Sequence, residues 1–313
     1  MILASIDLGS NSVILVLMEF YQIGGTFKIL KEVFTTPRIS EEITTTKMIS
    51  SSAILRLEKI LDEFGEYISA SKCDHVLVSA TNAFRVASNG EQLKNMIAKK
   101  YGWNVSILSG TEEAKLTFLG TLLPSFSKAN SILIDIGGGS TEVIYGNINH
   151  IILSQSLQLG VVSLKELYLN RTDIPSNRIS EIQSHVYSKF KKIEVDIPFD
   201  TKALAVAGTP TTISAIVQNL HSYSIDLIDG SELKLDQVIE VRTSILNMNS
   251  SNIRDKYGPI IYGREDILLS GCLILEGFMK YFEIEKITVS TKGLRYGAIY
   301  NYLINNDFYR IKN

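Results

Sequence analysis

The stretch IDIGGGSTEVIYG, residues 134–146, places three consecutive glycines between two apolar runs, directly after an aspartate. A Gly-rich turn lets backbone amides approach an anion with no side chain in the way, so phosphate is the first ligand to consider. Glycine also serves in purely structural turns. This stretch alone therefore leaves both interpretations open.

An earlier stretch, IDLGSNSVILVLME at residues 6–19, has the same order of apolar strand, Asp, Gly-rich turn, hydroxyl residues and second apolar strand. The repetition indicates an internal duplication. Because β-branched and aromatic residues follow each turn, we expect a β-hairpin in both copies. A Walker loop or a dinucleotide fingerprint runs from a strand into a helix and carries GxxxxGK[ST] or GxGxxG, and neither pattern is present.

The rest of the chain alternates strand and helix patterns, which favours an α/β protein with mixed sheets flanked by helices. We predict helices over 51–71, 110–123 and 264–284, strands over 75–81 and 105–110, and a strand, Gly turn and helix over 203–217. A length of 313 residues suits two domains. We expect them at 1–124 and 125–296, with a closing helix in 297–313 that packs back onto the first.

Charge and cysteine content exclude several classes of protein. The net charge of -2 leaves no broad electrostatic footprint for nucleic acid or for an anionic membrane. The two cysteines, Cys73 and Cys272, lie outside any CxxC pattern, so a disulfide framework or a zinc site is not expected. Asp7 interrupts any signal-peptide core, and no apolar run reaches the roughly 20 residues that span a bilayer. We expect a cytoplasmic protein.

The matched hairpins predict a shared phosphate site. Two such turns, one from each domain, would face each other across an interdomain cleft and grip phosphate through backbone N–H groups and hydroxyls. Asp7 and Asp135 would then lie close to a bound cation, since Mg²⁺ prefers carboxylates or their bound waters. For a single hairpin, an Asp that caps its own turn is the simpler interpretation. The matched pair favours ligand binding.

Six motifs in order make the chain similar to the Ppx/GppA family of exopolyphosphatases and guanosine pentaphosphate phosphohydrolases, within the actin, Hsp70 and sugar kinase superfamily. They are DLGSNS, ATNAFRVASN, SGTEEAKLTFLG, DIGGGSTE, AGTPTTISA and VSTKGLRYG. The resemblance implies two ribonuclease-H-like (actin-like ATPase) domains with a phosphate channel between them. It also implies Mg²⁺- or Mn²⁺-dependent hydrolysis of a terminal phosphoanhydride, and a homodimer by analogy.

The resemblance also implies roles for individual residues. A first phosphate loop would comprise Ser10, Asn11 and Ser12, and a second Gly137, Gly138, Gly139, Ser140 and Thr141. Arg85 would direct its guanidinium toward phosphate, and Glu113 would orient or deprotonate the attacking water. The metal would be held by Asp7, Asp135 and, through water, Glu142. Gly208 and Thr209 would line the channel.

Structural interpretations stand beside these roles. Glu112 and Glu113 are acids in the first turn of a helix, where they complement its dipole, and Ser109 with Glu112 fits a capping box. Arg85 could instead be a solvated helix arginine or a partner for a nearby acid, although its place just after a buried strand favours a role at the cleft. Glu142 could occupy an outward strand position. Gly208 and Thr209 fit a strand-to-helix turn with a Thr cap.

The sequence also departs from the family pattern. Residues 35–42, TTPRISEE, replace a Gly-rich stretch and leave Arg38 as the only local cation, Ser163 stands where Arg is frequent, and Tyr296 stands where Glu is common. The chain resembles the short two-domain branch. Substrates open at this point are inorganic polyphosphate and guanosine pentaphosphate. An ATP-dependent kinase of the superfamily and a non-catalytic sensor of alarmone or polyphosphate are the alternatives, although AGTPTT lacks the second glycine of an adenosine loop.

Overall fold

The computed structural model describes residues 1–22, 26–122, 129–148, 150–169 and 176–309. The chain divides into two compact units. Unit 1 comprises Met1–Ser125 and Gly293–Asn313, and unit 2 comprises Phe126–Lys292. The predicted boundary at residue 124 lies outside the described residues.

The sheet of unit 1 has five strands in the order β3-β2-β1-β4-β5. The hairpin β1–β2 and the pair β2–β3 are antiparallel, whereas β1, β4 and β5 are parallel neighbours. The strands are β1 (Ile2–Leu8), β2 (Val13–Tyr21), β3 (Thr26–Thr35), β4 (His75–Ala80) and β5 (Val105–Ile107).

Helices cover this sheet because their apolar residues recur at helical spacing. The long helix α2 buries five apolar side chains three or four residues apart: Ala53, Leu57, Leu61, Phe64 and Ile68. Its first turn is capped by the Ser50 hydroxyl, which accepts from the Ala53 amide at 3.2 Å. The helices are α1 (Ile43–Thr46), α2 (Ser51–Ala70), α3 (Asn82–Val86), α4 (Gly90–Tyr101) and α5 (Gly110–Leu122).

The sheet of unit 2 has six strands in the order β10-β11-β9-β6-β7-β8. The second predicted hairpin is β6–β7, and β6, β9 and β11 are parallel neighbours. The strands are β6 (Ser131–Ile136), β7 (Thr141–Gly146), β8 (Ile151–Leu157), β9 (Lys202–Val206), β10 (Glu232–Lys234) and β11 (Lys286–Val289).

The helices of unit 2 include one that is shorter than predicted. The helix expected over 264–284 begins at Leu268 and ends at Tyr281, because Arg264 to Ile267 form a turn in which the Ile267 amide donates to the Arg264 carbonyl at 3.1 Å. The α-helices are α6 (Val161–Tyr168), α7 (Ser176–Phe190), α8 (Gly208–Val217), α9 (Ile225–Ile228), α10 (Leu235–Ile245), α11 (Ser250–Tyr257) and α12 (Leu268–Tyr281), and Gly258–Ile261 form a 3₁₀ turn.

The two sheets share one strand plan, as expected for a duplication. In each, the second strand of the hairpin and a third antiparallel strand lie on one side of the first strand. Parallel strands lie on its other side. Unit 2 adds β10 at its edge. The predicted fold class, two α/β domains with mixed sheets flanked by helices, is confirmed. Among the described residues, no helix is long and apolar enough to cross a membrane.

The C-terminal helix α13 (Leu294–Asn305) packs against α5 at glycines. A Cβ on Gly297 would lie 1.7 Å from the Leu116 carbonyl oxygen, and one on Gly120 would lie 2.2 Å from the Gly293 carbonyl oxygen. Backbone therefore meets backbone at this contact. Larger side chains would force the two helices apart.

We predict that Gly297→Ala lowers the free energy of unfolding by at least about 2 kcal/mol, because backbone cannot yield as a flexible side chain does. Urea unfolding followed by circular dichroism measures the change. Gly65→Ala in α2 is the matched control, since the nearest atoms to its Cβ would be 3.9 Å away. Alanine should stabilise that helix interior by roughly 0.5–1 kcal/mol. Equal effects of the two changes would contradict the packing argument.

Candidate functional site

In each unit, most of the predicted site residues lie at or just beyond the carboxyl ends of parallel strands, and Glu142 lies on the antiparallel strand β7. In unit 1 these are the 9–12 turn after β1, the start of α3 after β4, and the start of α5 after β5. Backbone bonds hold the segments side by side: the Thr81 amide donates to the Leu8 carbonyl at 3.3 Å, and the Leu108 amide to the Ala80 carbonyl at 2.9 Å. Open α/β sheets bind ligands at this edge.

The two hairpin turns close in the same way. The Gly9 amide donates to the Ser12 carbonyl at 3.0 Å, and the Gly137 amide donates to the Ser140 carbonyl at 2.9 Å. The aspartates also match, because Asp7 lies opposite Ile14 and Asp135 lies opposite Glu142 in their hairpins. The duplication inferred from sequence thus extends to individual backbone bonds.

The 9–12 turn is held by the segment that departs from the family pattern. The Ser10 carbonyl accepts from the Ser40 amide at 2.9 Å, and the Asn11 carbonyl accepts from the Arg38 amide at 3.0 Å. In a trans peptide the N–H points opposite to the C=O. The Asn11 and Ser12 amides therefore face away from this segment, and neither donates to a described residue. TTPRISEE supplies backbone support for the turn.

The 137–140 turn is held in a similar way by the start of α6. The Gly137 carbonyl accepts from the Val161 amide at 3.0 Å, and the Gly138 carbonyl accepts from the Val162 amide at 2.8 Å. By the same peptide geometry, the amides of Gly138 and Gly139 point away from α6. Neither donates to a residue in the described part of the chain. Consecutive backbone amides that are not bonded within the protein are the kind of group that can bind an anion.

Two further residues fix this turn against its neighbours. Gly160 allows α6 to approach, since a Cβ there would lie 2.3 Å from the Gly138 carbonyl oxygen. The Thr141 hydroxyl donates to the Leu159 carbonyl, and Thr141 is fully buried. Ser140 is also buried. The structure therefore gives the Thr141 side chain a role in positioning the turn, and the backbone amides are the groups directed outward.

The structure brings Arg85 and Glu113 together across 28 residues of sequence. Arg85 Nη1 donates to Glu113 Oε2 at 2.6 Å and to the Leu108 carbonyl at 2.7 Å. Nε and Nη2 of Arg85 donate to no described residue, and Glu113 Oε1 accepts from none. Within the described part of the chain, the pair thus leaves Nε and Nη2 of Arg85 and Oε1 of Glu113 without a hydrogen-bond partner.

The two neighbouring glutamates of α5 have opposite environments. Burial raises the pKa of Glu113 above its ordinary value, while the charge and hydrogen bond of Arg85 oppose the increase. Glu112 accepts from the backbone amide and the hydroxyl of Ser109, both at 2.8 Å, which lowers the pKa of Glu112. The Ser109 hydroxyl in turn accepts from the Glu112 amide at 3.2 Å. The predicted capping box is confirmed.

A row of polar side chains crosses the hairpin of unit 2. Asp135 on β6 lies opposite Glu142 on β7, and Glu142 lies opposite Ser156 on β8. The Ser156 hydroxyl donates to Glu142 Oε1 at 2.6 Å. Glu142 is 1% exposed, which excludes the outward strand position. We call Asp135, Glu142 and Ser156 the carboxylate row.

The carboxylate row fits the donor chemistry of Mg²⁺, which takes oxygen ligands and is usually held by one or two carboxylates, several waters and substrate phosphates. Two carboxylates directly opposite each other repel unless a cation lies near them. Asp7, the third predicted ligand, belongs to unit 1. Within the described residues, no three His, Cys, Asp or Glu side chains form a metal site by themselves. The residues therefore suit a Mg²⁺ ion that is held by two protein carboxylates and completes its coordination with water and phosphate oxygens.

The AGTPTT turn of unit 2 is contacted by a cation, Arg264, that the sequence did not reveal. Arg264 Nη1 donates to the Gly208 carbonyl at 2.9 Å and to the Thr212 hydroxyl at 2.6 Å. No described carboxylate pairs with it. Ala207, which precedes the helix, has a φ of 77°, and no side chain caps α8, so the proposed Thr cap is absent. Thr209 is 9% exposed. Only the arginine's position after a Gly turn could have signalled this contact.

Comparisons with known proteins identify the family and the fold. A sequence description of the Ppx/GppA phosphatase family matches residues 21–306. The chain is 28% identical to a guanosine-5'-triphosphate,3'-diphosphate pyrophosphatase of Pseudoalteromonas atlantica, a match that covers 96% of this chain and 58% of the relative. It is 26% identical to exopolyphosphatase 2 of Mycobacterium tuberculosis, over 92% and 94% of the two chains. An exopolyphosphatase structure from Cytophaga hutchinsonii matches with a TM-score of 0.86 at 22% identity, over 100% of both chains, which shows the shared fold.

We predict that Arg85→Gln raises the pKa of Glu113 further, because the change removes the opposing cation and leaves the burial. Carboxyl ¹³C NMR on glutamate-labelled protein measures the titration directly. Arg56→Gln is the control, since its ion pair with Glu41 is 40% and 52% exposed at the two side chains. That change should leave the Glu113 titration where it was. An unchanged Glu113 titration in Arg85→Gln would contradict the inferred coupling.

Proposed function

Because the chain belongs to the Ppx/GppA phosphatase family, we propose that it releases the terminal phosphate of inorganic polyphosphate, guanosine pentaphosphate or both. The observation that carries this proposal is the Arg85–Glu113 pair, a buried carboxylate with one cation beside the outward amides of the 9–12 turn. Such groups suit phosphoanhydride hydrolysis, which needs positioning and charge neutralisation more than a covalent nucleophile.

Glu113 is the proposed general base. Oε2 is held by Arg85, and Oε1 has no described donor, so Oε1 is the oxygen that accepts from the attacking water. Water oxygen bonds to the terminal phosphorus while the bridging P–O bond breaks, and the water proton passes to Glu113. Burial keeps the pKa of Glu113 raised, which makes the carboxylate a better base near neutral pH.

Arg85 and the turn amides are the proposed phosphate contacts. Arg85 retains Nε and Nη2, and a guanidinium fork matches two phosphate oxygens at once. Further donors are the backbone amides of the two turns, at Asn11, Ser12, Gly138 and Gly139. The bonds that fix each turn would hold these amides in place when substrate binds. Fixed donors stabilise charge that develops in the transition state at no reorganisation cost.

Magnesium dependence is part of the proposal. Asp135 and Glu142 would hold the ion, and Asp7 stays a predicted ligand; a bound ion would neutralise charge on phosphate oxygens. The comparisons favour neither the kinase nor the sensor alternative. Cytoplasmic location, a homodimer and the meeting of the two hairpins on one phosphate remain predictions.

We predict that Glu113→Gln lowers kcat for phosphate release by about 10²–10⁴-fold, because glutamine cannot accept the water proton. Phosphate release is measured from polyphosphate, guanosine pentaphosphate and ATP in parallel, with and without Mg²⁺. Activity of the wild type should fall as the pH drops through the raised pKa of Glu113, since only the ionised form is a base. Substrate binding should persist in the variant.

Glu112→Gln is the matched control, because the Glu112 carboxylate accepts hydrogen bonds from the amide and hydroxyl of Ser109 at the start of the helix. It should retain activity within a few-fold and lose only some helix stability. Equal loss in Glu112→Gln and Glu113→Gln would overturn the assignment of the base. Absence of phosphate release from all three substrates would overturn the proposed function, and a sugar-dependent ATP turnover would replace it with the kinase.

A further inference from the structure

The carboxylate row differs from the matching row of unit 1. Asp7 lies opposite Ile14, and Ile14 lies opposite Phe34, so the first hairpin carries one acid followed by two apolar residues. At the same register, unit 2 carries Glu142 and Ser156. Glu142 and Ser156 thus occur together in unit 2, whereas unit 1 has the apolar Ile14 and Phe34 at the two matching positions.

We propose that Ser156 is a positioning residue that holds the carboxylate of Glu142 in the orientation needed to bind a divalent cation. The proposal rests on the proposed function for the role of that cation in hydrolysis. Nothing in the sequence motifs marks Ser156, which lies 14 residues beyond Glu142. The inference comes from strand register and from the 2.6 Å bond between its hydroxyl and Glu142 Oε1.

The physical need for such a residue follows from the row itself. Asp135 and Glu142 face each other across neighbouring strands, and like charges in this position repel. Glutamate has three side-chain torsions, so repulsion alone would turn its carboxylate away from Asp135. A hydrogen bond from the β8 side limits rotation of the carboxylate. Residues that orient metal ligands in this way commonly change metal affinity by 10–100-fold when replaced.

The chain provides a matched control two residues away. Ser154 lies on the same strand and the same face as Ser156, opposite Ile144. Its hydroxyl is buried and makes no hydrogen bond to any described residue. Loss of either hydroxyl removes the same atom from the same strand, but only Ser156→Ala removes a bond to an acid.

Mn²⁺ serves as the probe, with binding measured by electron paramagnetic resonance on the full chain without substrate. Ser156→Ala should raise the Kd for Mn²⁺ by about 10-fold, and Ser154→Ala should change it less than about 2-fold. Ser156→Thr keeps the hydroxyl and should restore binding close to that of the wild type. The Mg²⁺ concentration for half-maximal phosphate release should shift in the same order, with a smaller change in kcat.

Thermal unfolding establishes that each variant is folded before binding is compared. An unchanged Kd in folded Ser156→Ala, an equal loss in Ser154→Ala, or no Mn²⁺ binding by the wild type would each overturn the inference. Weakened Mn²⁺ binding specific to Ser156→Ala supports it even where no substrate releases phosphate. Absence of phosphate release would contradict the proposed function but would leave the positioning role of Ser156 supported. The failure of one proposal can therefore be told from the failure of the other.

Discussion

The bond from the Gly amide to the Ser carbonyl that closes each hairpin turn is the constraint on which the rest depends. With Gly9 bonded to Ser12 and Gly137 bonded to Ser140, each turn has a fixed shape. Neighbouring segments then take the turn carbonyls as acceptors, which leaves consecutive amides pointing outward. Outward amides need no side chain from the turn, which is consistent with the Gly, Ser and Asn residues that form it in the two copies.

The duplicated framework has diverged in its chemistry. Unit 1 places a carboxylate and a guanidinium, Glu113 and Arg85, beside its turn, whereas the strand positions facing Asp7 are apolar. Unit 2 places a second carboxylate at the strand position facing Asp135. The proposed base of unit 1 thus lies on a helix, whereas the proposed metal ligands of unit 2 lie on neighbouring strands. Duplication supplied the backbone, and single side chains determine the proposed roles.

Local patterns predicted much of the fold, and long-range contacts account for most of what was missed. The hairpins and α2 were predictable because apolar residues recur at strand or helix spacing. Strand β3 was not predicted because most of its residues are exposed. Helix α4 was not predicted because few of its residues are buried. The roles of Arg85 and Glu113 came from family motifs, and their direct bond emerged only from the fold. Arg264 was missed because the carbonyl it supports lies 56 residues earlier.

The environment of Glu113 shows how opposed electrostatic effects can serve a hydrolase. Burial by itself disfavours the ionised carboxylate and raises its pKa, and a protonated acid could not act as the proposed general base. A guanidinium in water would lower the pKa and leave a weak base. Arg85 bonds one oxygen and opposes the effect of burial, and the pKa of Glu113 is raised above its ordinary value as the net result. Glu112, one residue earlier and exposed, lacks that burial, and for this reason the adjacent acids of one motif are not interchangeable.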